Sequence, residues 1–359
     1  MKRAAALLTC LLLAHCSSGP APANGELPAL NPAEDFKTAG GEPSQDDVAR
    51  FLAGRPVKKG AALSEYQRSN SNYHTHAKNF DFEWRKFAYK RTNRQAIYYK
   101  DTLKPLLGSP STIFYPFGGP DIMYASSMFP KASTYVLVGL EKVGSVPQLP
   151  GDNPKPLLSG LTSVMDEPLR RGYYITKEMR IGPPVTPILM TSLGLMGARV
   201  DSVQSINAGG YPGVEIRFKA AGGGSKRVIY VEGNLSNSGF NGSFQSWLGS
   251  YSNSTAYFKA ASYLMHDPAF SKVRNWVLSN CNSVLQDDSG IPFRYYDSSN
   301  WDVTLLGTYD RPIPLFARWK QSDLAAAYDN IGGRGEEIPF GSGYHLKIRD
   351  ANLQVFKRK

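Results

Sequence analysis

STIFYPFGGPDIMYASSMFPKASTYVLVGLE, residues 111–141, decides the fold. Thr112 to Phe117 is a run of β-branched and aromatic residues, broken by Gly118-Gly119-Pro120. Ile122, Ala125, Ser126 and Phe129 then fall at the i, i+3, i+4, i+7 spacing of a short helix, and Pro130 stops it. TYVLVGL (134–140) is apolar throughout, as a strand covered on both faces must be. Strand, helix and fully apolar strand predict a right-handed βαβ unit.

Outward from that unit the pattern stays mixed. Residues 79–107 carry apolar spacing for helical packing ahead of the sheet, with Phe80, Trp84, Phe87 and Arg91 on one stripe. Val214, Ile216 and Phe218 alternate, a glycine run follows, and alternation resumes at Val228 to Val231, a hairpin signature. The stretches 157–179, 185–200, 244–265 and 270–281 are expected to be helical. Residues 283–310 are expected to form two or three short strands with a turn at Ser289-Gly290. The fold class is therefore α/β: a single mixed, largely parallel sheet flanked by helices, Rossmann-like near 111–141, with an antiparallel C-terminal meander. The expected organisation is a signal peptide at 1–23, a flexible linker at 24–60, in which Asp46 to Leu52 has the acidic start and apolar spacing of a short helix, and one α/β domain at 61–359 with a helical N-terminal extension. A split near 205 would need a linker-like composition that is absent.

The first residues predict export. Lys2 and Arg3 precede an apolar run, Ala4 to Ala14, too short to span a bilayer. LLLAHC resembles a bacterial lipoprotein signal with Cys16 as the lipidated residue, although His15 stands where such signals carry a small residue. APA at 21–23 offers an ordinary secretory cleavage site instead. Either leaves Cys281 as the one cysteine of the folded part, so no internal disulfide braces it. Cys281 follows the apolar VRNWVL and is expected to be a buried, inert thiol.

Formal charge is +11, and loss of Lys2 and Arg3 leaves 39 basic against 30 acidic residues, +9. Outside the cytoplasm such a surface meets anionic lipid, glycan or wall, and nucleic acid is not an expected partner. The basic residues cluster only at 85–94 and at the terminal FKRK, expected to be solvated faces.

Glycines after a first strand let backbone amides approach a pyrophosphate. Here Pro120 offers no N–H and Asp121 places a carboxylate where phosphate would sit, so phosphate binding is disfavoured. Asp121 suits a hydroxyl-bearing or cationic ligand, or the helix dipole. Glu141 lies 22 residues beyond Gly119 at a strand tip, where dinucleotide folds place an acid on ribose hydroxyls. Asp287 and Asp288 sit at the end of another strand with Arg294 near in sequence. Adjacent strand residues point to opposite faces, so these two are not expected to share a substrate, and a turn bonding backbone amides explains them equally. His74-Thr-His76 lies in a polar stretch expected to be a surface loop, without zinc spacing, and no metal or cofactor is predicted. The hydroxyl- and amide-rich 236–243 is expected to be a flexible loop.

The 111–144 spacing resembles the first βαβ unit of class I methyltransferases. FYPFGGPD, YVLVGLE and LQDDSGIPFRYY together resemble an uncharacterised bacterial cell-envelope family without assigned activity, over most of 105–320. That resemblance implies that Tyr115, Gly118, Gly119, Asp121, Glu141, Asp287, Asp288 and Arg294 belong to one site or core. The expectation is an extracytoplasmic protein, lipid-anchored or secreted, with a crevice at the carboxyl edge of its sheet that binds a small hydroxylated or glycan-like ligand. A carboxylate-dependent hydrolase or transferase and a non-catalytic scaffold are the alternatives.

Overall fold

The structure, a computed structural model, describes residues 43–58, 62–149, 153–175, 179 and 181–359. The signal segment, Cys16 and the linker through residue 42 lie outside the described residues. β1 (Thr112–Pro116), the helix Ile122–Met128 and β2 (Thr134–Gly139) form the βαβ unit, with β1 and β2 parallel from Thr112↔Thr134 to Pro116↔Val138. Seven more strands complete one sheet: β3 (Arg199–Ala208), β4 (Tyr211–Lys219), β5 (Ser225–Glu232), β6 (Thr255–Phe258), β7 (Ser283–Gln286), β8 (Trp301–Gly307) and β9 (Asn352–Arg358). Their order is β3-β4-β5-β2-β1-β6-β7-β9-β8. The five central strands, β5 to β7, are parallel, and antiparallel strands close both ends. The chain winds one way from β1 to β2 and β5, then returns to the other side of β1 as β6 and β7. Strand order thus reverses between β1 and β6, the place where open α/β sheets hold ligands.

Alternate residues of each strand feed two cores. Tyr115, Tyr135, Tyr230 and Tyr257 face one side, under a thick helical layer. Phe114, Val136, Ile229 and Phe258 face the other, under the helices Gly242–Gly249 and Ser271–Asn280. In the thick layer the helix Val185–Leu195 is buried at every position, as a helix apolar all round must be.

Several stretches differ from expectation. Residues 45–58 are not linker, although the short helix expected from Asp46 to Leu52 is present. The helix Gln45–Leu52, opened by a capping box between Ser44 and Asp47, buries Val48, Phe51 and Leu52. It also covers the outer edge of β3: Val200 N–H donates to Asp46 Oδ1 at 2.9 Å and Val203 N–H to Gln45 Oε1 at 2.7 Å. The polar stretch around His74 belongs to the helix Ser71–Phe87 and is not a loop, so His74 and His76 part: His74 is exposed, whereas His76 is buried against Leu52 O at 2.9 Å. Within the expected helix 244–265, Thr255–Phe258 is strand β6, because its four side chains are buried between β1 and β7. β3 passes unbroken through residue 205, and the described residues belong to one compact unit. Segment 236–243 is tied down by Asn237, whose side chain bonds Pro268 O at 2.9 Å and Ser271 Oγ at 3.0 Å.

Candidate functional site

The loops after β1, β2 and β6, with the segment Tyr173-Tyr174, enclose a crevice of about 50 Å³ beside the strand-order reversal. Tyr115, Phe117, Gly118, Gly119, Asp121 and Glu141 line one side; Tyr173, Tyr174, Lys259 and Ala260 line the other. This volume holds a few water molecules or the tip of a ligand.

Asp121 caps the helix Ile122–Met128 and is 2% exposed. Its Oδ2 accepts the Tyr115 hydroxyl at 3.1 Å and pairs with the Lys259 ammonium. Lys259, the first residue beyond β6, is equally buried. Its Nζ also donates to Gly172 O and lies 3.2 Å from the centre of the Tyr124 ring. Three directions are thus filled, and the amine is held as a fully partnered cation. Burial nonetheless pulls its pKa down to about 8, against the opposing effect of Asp121. Gly172 must be glycine: its φ is +90°, and a Cβ there would run into the Tyr124 hydroxyl. That hydroxyl accepts Arg91 Nη1 at 2.7 Å, and the same nitrogen donates to Gly341 O at 2.9 Å. Arg91 reaches inward from Ala88–Thr92, where the long helix widens into a π turn.

Glu141 stands over the glycine turn. A Cβ on Gly119, whose φ is +53°, would lie 3.7 Å from Glu141 Oε2, and the Tyr230 hydroxyl donates to Glu141 O at 2.7 Å. Glu141 is only half-buried and keeps carboxylate surface facing the crevice.

The second acidic turn lies beside the first on the same rim. Asp287 Oδ2 accepts Ala260 N–H at 2.9 Å, and Ser289 Oγ accepts Ala261 N–H at 2.8 Å. Asp287 Oδ1 accepts the Ser289 hydroxyl and, at 2.9 Å, the Ser289 amide. Asp288 bonds the Tyr263 hydroxyl, Asn352 Nδ2 at 3.1 Å and His345 Nε2 at 3.2 Å. The loop so gripped is strained: Ala260, Ser262 and Tyr263 have φ of 52°, 53° and 58°, and Phe117 across the crevice has 62°. Each costs on the order of 1–3 kcal/mol and persists only where its surroundings enforce it. Burial, then Asp288, pushes the Asp287 carboxyl up to about 6.

The structure therefore gathers Tyr115, Gly118, Gly119, Asp121 and Glu141 around one crevice and sets Asp287 and Asp288 behind its far wall. It does not bring Arg294 there. The turn Phe293–Tyr295 leaves Arg294 exposed, its guanidinium 5.0 Å from the Tyr295 ring centre, and Lys259 and Arg91 supply the buried positive charge instead. Sequence reasoning missed Lys259, Gly172, Tyr173, Tyr174 and His345. The one local signal for Lys259 is a charge at the end of the short β-type run TAYFK.

Among the described residues no group of three or more His, Cys, Asp or Glu is placed to hold a metal ion, and no helix is long and apolar enough to cross a membrane. No protein-family model matches this chain, and a search of curated proteins finds no relative.

Proposed function

We propose that this is an extracytoplasmic, envelope-attached protein whose crevice between the ends of β1 and β6 binds the hydroxyl groups of a small molecule or glycan end. The observation that carries this reading is the position of Glu141. It is a partly exposed carboxylate over a glycine turn, facing tyrosines, at the reversal of strand order. Carboxylates accept from hydroxyls, and flanking rings cover the apolar face of a polyol. A crevice of about 50 Å³ suits a hydroxymethyl group or a pair of hydroxyls better than a nucleoside. The charged start and apolar run at 2–14, and the likeness of FYPFGGPD, YVLVGLE and LQDDSGIPFRYY to an envelope family, support the location, with Cys16 as the lipid acceptor.

A calorimetric or NMR titration with a panel of polyols and monosaccharides tests the crevice. Glu141→Gln should weaken binding about tenfold, the loss of one hydrogen bond to a charged group, without a change in melting temperature. A wild-type protein that binds none of the panel, or an equally tight Glu141→Gln, overturns the reading. A carboxylate-dependent hydrolase or transferase is the second reading. It would use Glu141, the crevice carboxylate that keeps exposed surface, within reach of a bound hydroxyl. It requires turnover of a glycoside or ester that Glu141→Gln abolishes.

A further inference from the structure

The helical run that opens at Ser71 carries an outward stripe that the fold leaves uncovered. Phe82, Tyr89 and Ile97 are 63%, 57% and 62% exposed. Phe82, Lys86 and Tyr89 stand at i, i+4 and i+7 on one face. Beyond Tyr89, the wide turn Ala88–Thr92 and the next ordinary turn together take roughly eight residues, which brings Ile97 back beneath Tyr89. Isolated exposed apolar residues need no explanation, but an aligned row rimmed with cations does.

The rim is basic. From Lys78 to Lys104 there are eight Lys or Arg and three Asp or Glu. Two of the eight are bound to the protein itself: Arg91 turns inward to the Tyr124 hydroxyl, and half-buried Arg94 donates to Pro339 O at 3.0 Å. Arg85 pairs with Asp81 at 2.8 Å and Lys86 with Glu83 at 3.6 Å, leaving a surplus of positive charge on the surface. Lys86 Nζ lies 5.7 Å from the Phe82 ring centre, and the Arg94 guanidinium 5.9 Å from that of Tyr89, so cations and rings share one layer. Protruding rings and an aliphatic side chain interleaved with lysine and arginine match the interface of an anionic bilayer. There the rings enter the headgroup layer while the cations meet phosphate.

We propose that this face, centred on Phe82, Lys86 and Tyr89, docks the folded protein onto an anionic phospholipid surface. The docking orients the protein independently of any lipid on Cys16, and it does not depend on what the crevice holds. The test uses the full chain carrying Cys16→Ala, so that no acyl chain contributes. It is sedimented with phosphatidylcholine vesicles with and without phosphatidylglycerol. The expected result is phosphatidylglycerol-dependent binding that Lys86→Gln/Lys90→Gln weakens about thirtyfold, each cation being worth about a factor of five at such a surface. Phe82→Ser/Tyr89→Ser should weaken the part of the binding that survives high salt. All four side chains are exposed, so unchanged melting temperatures confirm intact folds. The proposal fails if both double variants bind like the parent, or if the parent binds both vesicles equally. It also fails if the parent ignores both and instead retains double-stranded DNA through the same lysines.

Discussion

Asp121 and Lys259 are 138 residues apart in the chain and share a buried ion pair that fastens the end of β1 to the end of β6. The pair bridges the place where strand order reverses, so the wall of the crevice is also a seam between the two halves of the sheet. Removing one partner strands the other charge, which costs about 3–5 kcal/mol in comparable burial. Lys259→Met should therefore lower the unfolding free energy in denaturant by that amount, and adding Asp121→Asn should recover part of it. A loss below about 1 kcal/mol would show that the seam is held elsewhere.

The His345–Asp288 contact makes stability depend on pH. Burial pushes the His345 imidazole down, but the Asp288 hydrogen bond and charge outweigh it and leave its pKa above the ordinary value. A raised folded pKa means stability fully present below the unfolded value of about 6.5 and lost as pH rises through the folded one. The stability gap between wild type and His345→Gln should be widest near pH 6 and narrow toward alkaline pH. Asp287, with its folded pKa also raised, acts in the same direction at lower pH, so the variant and not the wild-type curve alone isolates the histidine. A gap that does not change with pH would remove the imidazolium from the account.

Gly172→Ala adds a methyl group against the Tyr124 hydroxyl at a φ of +90°. Thermal unfolding should show a loss of about 1–3 kcal/mol or more. Lys259 should also titrate differently, since its contact to Gly172 O is disturbed. Wild-type melting in this variant would contradict the close approach.

Cys281 lies against Ser254 at 3.6 Å, and burial pushes its thiol up to about 12. Peptide mapping after treatment with a thiol reagent should find Cys281 unmodified in the native protein and fully modified in denaturant. Rapid native labelling at this residue would place it outside the core.

The βαβ unit was legible because both signals were local: a glycine-proline break between β-type runs, and a second strand apolar enough to be buried on both faces. The β4–β5 hairpin was legible for the same reason, pairing Val214 with Tyr230 and Ile216 with Val228. β6 was hidden because YFKAASYLM also fits helical spacing, and only its place between β1 and β7 makes it a strand. β3 and β9 carry many polar residues, tolerated in β3 by the edge position and in β9 by pairs such as Gln286–Gln354 at 2.9 Å. Asp121 and Glu141 could be read from their positions at a turn and a strand tip. Lys259 could not, because its meaning comes from a carboxylate in a distant loop. Arg91 showed its burial through the stripe with Phe80 and Phe87, but nothing in its neighbourhood named Tyr124. Arg294 misled for the converse reason: closeness in sequence to Asp288 was undone by one short turn.

β9 slots between β7 and β8 instead of lying outside them, and its first residue, Asn352, grips Asp288. A polypeptide emerging from its amino end therefore carries an open flank on β7 and an unattached ribbon at 301–307 until 352–358 follows. Completion of the sheet and the anchoring of Asp288 by Asn352 thus come together. Any cut before Asn352 would yield a species with exposed strand edges, ready to pair with copies of itself.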